Sequence, residues 1–235
     1  MKTHTKRVGS IDGDAAQSHC EEGGSSPTPT LFHLGLLAEA NAMVKKHHYS
    51  NRAAGSPVVS VTEHEPGGLF GTRGDAVAAC IFSSPPTRWS YPILELSRLV
   101  RTPEYVGTLS RLVAFATREA LKVVPVVVSF ADATQGHHGG IYQASGWSYH
   151  GQREPANDGL IIDGVFVPGR TCNRWYGTRS ADKVSALLGR PVQKHYDDGK
   201  HLYWKASRRG TRAVISKLAL THVEYPKPAK KPANG

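Results

Sequence analysis

Cysteine is scarce in this chain: Cys20, Cys80 and Cys172 are the only three in 235 residues, and no two form a Cys-x-x-Cys pair. That excludes a disulfide framework and a cysteine zinc site, and it fits a reducing compartment. Long apolar runs are missing as well. Apolar residues make up 39% of the chain, and no run of them approaches the ~18 residues that a membrane-spanning helix needs. The opening residues, Met1 to Gly9, contain no apolar h-region, which predicts a cytoplasmic protein without a secretory leader. Acidic residues are the scarcer charge, with 19 Asp and Glu against 29 Lys and Arg, and the resulting +10 favours a polyanionic partner such as DNA, RNA or an anionic membrane face. A chain of this length is too long for a peptide-like fold and suits one domain with tails.

Three regions follow from composition. Residues 1–30 are rich in Gly, Ser, Thr, Pro and acids and predict a disordered arm. Residues 31–207 carry the periodic patterns of a folded domain. Residues 208–235 hold Arg208, Arg209, Arg212 and four lysines against one acid, Glu224, and predict a flexible basic tail able to grip phosphates. Within the domain, the spacing predicts a helix from Leu31 to about Lys46, an antiparallel pair over 57–62 and 75–82, and a third strand over 91–100. A helix from about Thr108 and a buried strand over 123–130 come next. A short helix near 139–145, a hairpin of 147–153 with 160–167, a helix capped by Ser180 and a last strand over 201–205 complete an α+β domain with a mixed sheet. Such sheets place ligands where central strands separate.

Four stretches carry chemistry. His47, His48 and Tyr49 stand at a helix end, where imidazole and phenol suit iron or simply cap the helix. Arg98 interrupts an apolar strand, on the face of Leu94 and Leu96 if alternation is regular, and needs an anionic partner such as Glu95, Asp132 or a ligand. Gly107 precedes a helix start near Ser110 whose free amides can hold a phosphate. The segment from Ser129 to Trp147 leaves a buried strand and interleaves Asp132, His137, His138, Tyr142 and Gln143 with glycines, the composition of a site or of a capped turn.

These blocks together resemble one family. His47-His48-Tyr49-Ser50, Glu95-Leu-Ser-Arg-Leu-Val100, Ser129-Phe-Ala-Asp132, the run Gly136 to Gly151 and the late Gly199-Lys-His-Leu-Tyr203 are similar to the Mom proteins of bacteriophages related to Mu. The resemblance implies a GCN5-related acyltransferase-like fold, with a mixed, mostly antiparallel central sheet flanked by helices. It implies an enzyme that places a methylcarbamoyl group on N6 of adenine in double-stranded phage DNA in the host cytoplasm, so that the DNA escapes restriction. Iron and acetyl-CoA come with it: His48, Tyr49, Asp132 and Tyr142 on the iron side, Arg98 and Ser110 on the cofactor side. Asp132 is then the candidate base and His48 the second, while Arg98 offsets charge on the donor. Tyr49, Tyr142, Trp147 and Tyr149 are available to wall an extruded base.

The chain departs from the fold's pyrophosphate motif, Arg/Gln-x-x-Gly-x-Gly/Ala, by offering Glu104-Tyr-Val-Gly107-Thr-Leu109. A carboxylate there repels pyrophosphate, and acetyl lacks the nitrogen of methylcarbamoyl, so aminoacyl-tRNA stays open as the donor and tRNA as a second partner. A non-enzymatic basic DNA-binding module and a protein or small-molecule N-acetyltransferase are the competing readings. Nothing in the residues specifies an oligomeric state.

Overall fold

The computed structural model describes residues 31–67, 73–86 and 89–226; the expected N-terminal arm and the last lysines lie outside them. The chain opens with β1 (Leu31–Leu34) and α1 (Leu37–His47), then runs β2 (Pro57–His64), β3 (Ala76–Ser83) and β4 (Ile93–Arg101). It continues through α2 (Leu109–Val123), β5 (Val126–Asp132), α3 (Gly140–Ala144) and β6 (Ser148–Gln152). A second group holds β7 (Asn157–Ile162), β8 (Val165–Pro168), α4 (Gly169–Tyr176), α5 (Ala181–Leu188) and β9 (Gln193–Tyr196), before β10 (Lys200–Ala206) and α6 (Thr211–Ser216). Among the described residues no helix is long and apolar enough to cross a membrane.

The main sheet has seven strands in the order β1-β2-β3-β4-β5-β10-β6, antiparallel throughout except between β4 and β5. This is the mixed, mostly antiparallel α+β architecture expected. The parallel pair is held over three rungs only, Ile93 with Val126 to Glu95 with Val128. α2 covers one face, burying Leu112, Val113, Ala116 and Ala120 against Leu94, Leu96, Val127 and Tyr203. The other face takes α1, through Ala40, Met43 and Val44, and α6, through Val214. The unit β4-α2-β5 matches the expected strand, helix and strand closely, because its stripe of Leu109, Leu112, Val113 and Ala116 and its apolar run Val126 to Val128 are unambiguous.

Three expectations need correction. The first helix does not begin at Leu31: Gly35, at φ +82°, ends a short strand paired with β2, and the helix starts after it. The predicted hairpin of 147–153 with 160–167 does not form. β6 joins the main sheet beside β10, while β7 and β8 turn through Asp163 and Gly164, both at positive φ, into a separate sheet of order β8-β7-β9. The flexible tail does not begin at 208. Val214 and Leu220 pack under the sheet, and the Val223 amide donates to the Tyr149 carbonyl at 2.9 Å, so the chain stays folded to at least 226. Arg208, Arg209 and Arg212 are therefore exposed side chains at the start of α6.

Candidate active site

Where β4 and β5 part after their three shared rungs, a cleft of about 700 Å³ opens. Its walls are the outer half of β4, the exit of β5, the end of α1 and the glycine-rich turn 136–142. Ser129 marks the fork. Its Oγ lies 3.1 Å from the Leu96 carbonyl across the gap and 2.8 Å from the Tyr142 hydroxyl. The cleft stands where the central strands separate, the place that a mixed sheet offers to a ligand.

Arg98 reaches this cleft by a route the sequence conceals. The β3–β4 ladder pairs Phe82 with Leu96 but Ile81 with Arg98, so Ser97 is an extra residue, a bulge. Leu94 and Leu96 face α2, whereas Arg98 and Val100 face α1. Regular alternation would have put Arg98 with the leucines; the bulge turns it over. Its Nε donates to the Arg52 carbonyl at 3.2 Å and its Nη1 to the Ser97 carbonyl at 2.6 Å. Among the described residues no carboxylate forms an ion pair with it. A guanidinium held by carbonyls keeps its full charge for an anion.

His48 lies just beyond α1, part-buried, and Tyr49 stacks on it with ring centroids 4.3 Å apart. Burial, then the charges of Arg98 and His137, lower the His48 pKa to about 4, so the ring is neutral near pH 7. The Ser50 backbone N–H donates to Nδ1 at 3.1 Å. An amide can only donate, so Nδ1 is the acceptor and the single proton of the neutral ring sits on Nε2. His48 thus offers a hydrogen bond and neither a basic lone pair nor a metal-binding one. Because the folded form holds its proton less tightly than the unfolded one, His48 supports stability above about pH 6.5 and that support is lost as the pH falls towards 4. His48→Gln is expected to lose less melting temperature than the parent between pH 7 and pH 4.5, measured by circular dichroism.

Of the four residues expected on the iron side, His48, Tyr49 and Tyr142 line the cleft and the Asp132 charge is felt by Tyr49, but their donor atoms are engaged within the protein. Tyr142 is buried, with its hydroxyl on Ser129, and burial raises its pKa; burial and then the Asp132 charge raise that of Tyr49. Asp132 caps the turn after β5, its Oδ1 accepting from the Thr134 amide at 3.1 Å and its Oδ2 facing Lys200 Nζ at 3.9 Å. Among the described residues no group of three His, Cys, Asp or Glu side chains is placed to hold a metal ion. With His48 Nδ1, the Asp132 oxygens and the Tyr142 hydroxyl already engaged, iron finds no support here, and no step is routed through it.

A model of the Mom protein family matches residues 36–227. The chain belongs to the Mom protein family. No curated protein matches it significantly. Among solved structures, this Mom-family chain is similar to a Salmonella typhimurium acetyltransferase with acetyl-CoA, at 10% identity, TM-score 0.45, and 76% and 94% of the two chains covered. It is similar to a Bacillus subtilis acetyltransferase in complex with CoA, at 8% identity, TM-score 0.43, and coverage of 76% and 99%. It is also similar to the ribosomal-protein-S5-alanine acetyltransferase of Vibrio fischeri, at 12% identity and TM-score 0.37, with 64% of this chain and 62% of that one covered. These likenesses are too distant to carry activity or cofactor to the Mom-family chain.

Two other expected groups fall elsewhere. Trp147 and Tyr149 do not wall the cleft: Trp147 is fully buried against Phe82 and Tyr142, and the Tyr149 hydroxyl is 2.7 Å from His201 Nδ1 inside the aromatic core. Apolar volume decided their place, and the signal was their position at a strand start. Gly107 and Ser110 flank the start of α2, beyond the cleft lining, which that helix reaches through Leu109. Gly107 is required by a close approach, since a Cβ there would stand 2.5 Å from the Tyr105 ring. Sequence reasoning passed over Glu95 as a site residue in its own right. It ends the parallel rungs, and burial raises its carboxyl pKa despite the nearby charges of Arg170, Lys200 and Arg98.

Proposed function

We propose that this Mom-family chain is a transferase that places a methylcarbamoyl-type acyl group on N6 of adenine in double-stranded DNA, protecting phage DNA from host restriction enzymes in the host cytoplasm. The observation that carries the reading is the forked cleft, with an unpaired guanidinium and a neutral imidazole N–H on one side. An adenine in a duplex hides its amine, so the base must leave the stack, at a few kcal/mol. The Arg98 guanidinium then meets the negative charge of the acyl donor, and the His48 Nε2–H is suited to the acyl carbonyl oxygen as charge develops there. The bond formed joins N6 to the carbonyl carbon of a glycyl unit, a constitutional isomer of the methylcarbamoyl group, and the bond broken is the ester bond from that carbon to the donor's oxygen, the donor leaving as its free hydroxyl. The amine proton passes to a carboxylate, either Asp132, whose oxygens face the Thr134 amide and Lys200, or Glu95 beside Leu96 of the lining, whose pKa burial raises.

The start of α2 supports an anionic donor, having no capping side chain and no acidic residue in its first turn. A glycyl unit contains the atoms of a methylcarbamoyl group, nitrogen included, whereas acetyl does not. Expression in bacteria is expected to add the mass of methylcarbamoyl to a fraction of deoxyadenosines, measured by mass spectrometry of nucleosides from total DNA. Label arriving from ¹⁵N-glycine marks an aminoacyl donor, whereas acetyl-CoA acting alone would leave the smaller, nitrogen-free mass of an acetyl group. Unmodified nucleosides from well-expressing cells, or modified cytosine, would overturn the reading.

A further inference from the structure

The second sheet is inserted between β6 and β10, has its own core of Leu160, Val167, Cys172 and Val184, and supplies none of the groups used above. Between Asp163 and Asp182 the chain carries Arg170, Arg174 and Arg179 and no acidic residue. α4 buries Thr171 and Cys172 inward and turns Arg170, Arg174 and Trp175 to solvent. Trp175 is 57% exposed, which a core role does not explain. Arg179 folds back over the start of α4, its Cδ 3.6 Å from where a Gly169 Cβ would stand. Arg190, on the same insertion, pairs with Asp163 at 3.0 Å; among the described residues none of the other three arginines pairs with a carboxylate. The basic face adjoins the cleft, since the Arg170 charge is felt by both Glu95 and Arg98.

We propose that the α4 face of the inserted sheet is the surface on which duplex DNA docks, with Arg170, Arg174 and Arg179 on phosphates and Trp175 against sugar or base edges. The proposal rests on the reading that DNA is the acceptor. Three guanidinium groups without an ion-pair partner among the described residues, two on α4 and one on the segment that follows it, match a polyanion, and a single exposed indole among them suits contact with a nucleotide. It relocates the grip expected of the C-terminal arginines: a duplex held here lies at the cleft mouth, where an extruded adenine has the shortest way to Arg98.

The test is titration of a fluorescent 20-base-pair duplex with the full chain at several salt concentrations. R170A/R174A/R179A is expected to weaken binding by ~10- to 100-fold and to flatten the dependence of log affinity on log salt by about 0.9 per lost phosphate contact. Trp175→Ala is expected to lower affinity a few-fold with the salt slope unchanged. Arg174→Glu, a single exposed change, covers the case in which the triple variant fails to fold, and R208A/R209A/R212A should leave the slope closer to the parent's. An unchanged affinity and slope in the folded arginine variants would overturn the proposal. So would anionic phosphatidylserine vesicles binding with the same arginine dependence while the duplex shows none. Nucleoside mass spectrometry separates the two failures: modified adenine with arginine-independent binding removes the surface and keeps the activity, whereas arginine-dependent binding without modification does the reverse.

Discussion

Arg98→Ala is expected to lower kcat/KM for adenine modification by ~100-fold or more while leaving the thermal unfolding midpoint close to the parent's. The guanidinium is tied to the Arg52 and Ser97 carbonyls, and among the described residues no carboxylate is ion-paired with it. The loss therefore falls on whatever anion it serves, so the KM for the donor should rise together with a fall in kcat. Lys at this position should recover little, because a single ammonium cannot keep both carbonyl contacts and still face the cleft. A variant with parental kinetics would show that the donor's charge is met elsewhere, with Arg101 and Arg111 near the start of α2 next to be examined.

The second large effect is on stability. Trp147 is the largest fully buried side chain, lying 6.3 Å from the Phe82 ring and 5.4 Å from the Tyr142 ring, centroid to centroid. Its backbone amide also closes the end of α3 on the Tyr142 carbonyl, at 2.9 Å. Trp147→Ala is expected to cost about 3–5 kcal/mol, a large part of the ~5–15 kcal/mol that holds a domain together. Trp147→Phe should cost less, because the indole N–H is buried without a partner and its removal relieves that desolvation. Urea unfolding followed by circular dichroism measures both. Equal midpoints for the two variants would mean that packing volume at this point matters less than its burial implies.

These two residues also show how far the sequence could be read. The strand and helix around the cleft were legible because Val126 to Val128 and the α2 stripe have the periodicity of their elements, and Asp132 and Tyr142 followed from their place at a strand's exit. The side to which Arg98 points was not legible, since a bulge is a relation between two strands and β4 alone carries no sign of it. The aromatic residues misled for another reason: Trp147 and Tyr149 have the chemistry of a base-stacking wall, and only the packed sheet distinguishes a wall from a core. The proton on His48 was out of reach too, being set by an amide two residues away in a turn that composition does not specify. The basic residues after 207 were read as a tail because their charge outweighed the sparse Val214, Leu218 and Leu220, which suffice to fasten that segment beneath the sheet.

The extra residue at Ser97 makes the orientation of Arg98 a matter of parity. Side chains along a regular strand face alternate sides, so Leu96 and Arg98, two residues apart, would share a face; absorbing one residue at Ser97 is what parts them. Ironing out the bulge at unchanged strand length would therefore drive Arg98 among the leucines under α2 and turn an apolar side chain towards the α1 side. Deleting Ser97 would instead leave Leu96 and Arg98 on successive rungs opposite Phe82 and Ile81, with the guanidinium still on the α1 side. The side on which the charge stands thus depends on where the strand absorbs its extra residue, more than on which side chain that residue carries.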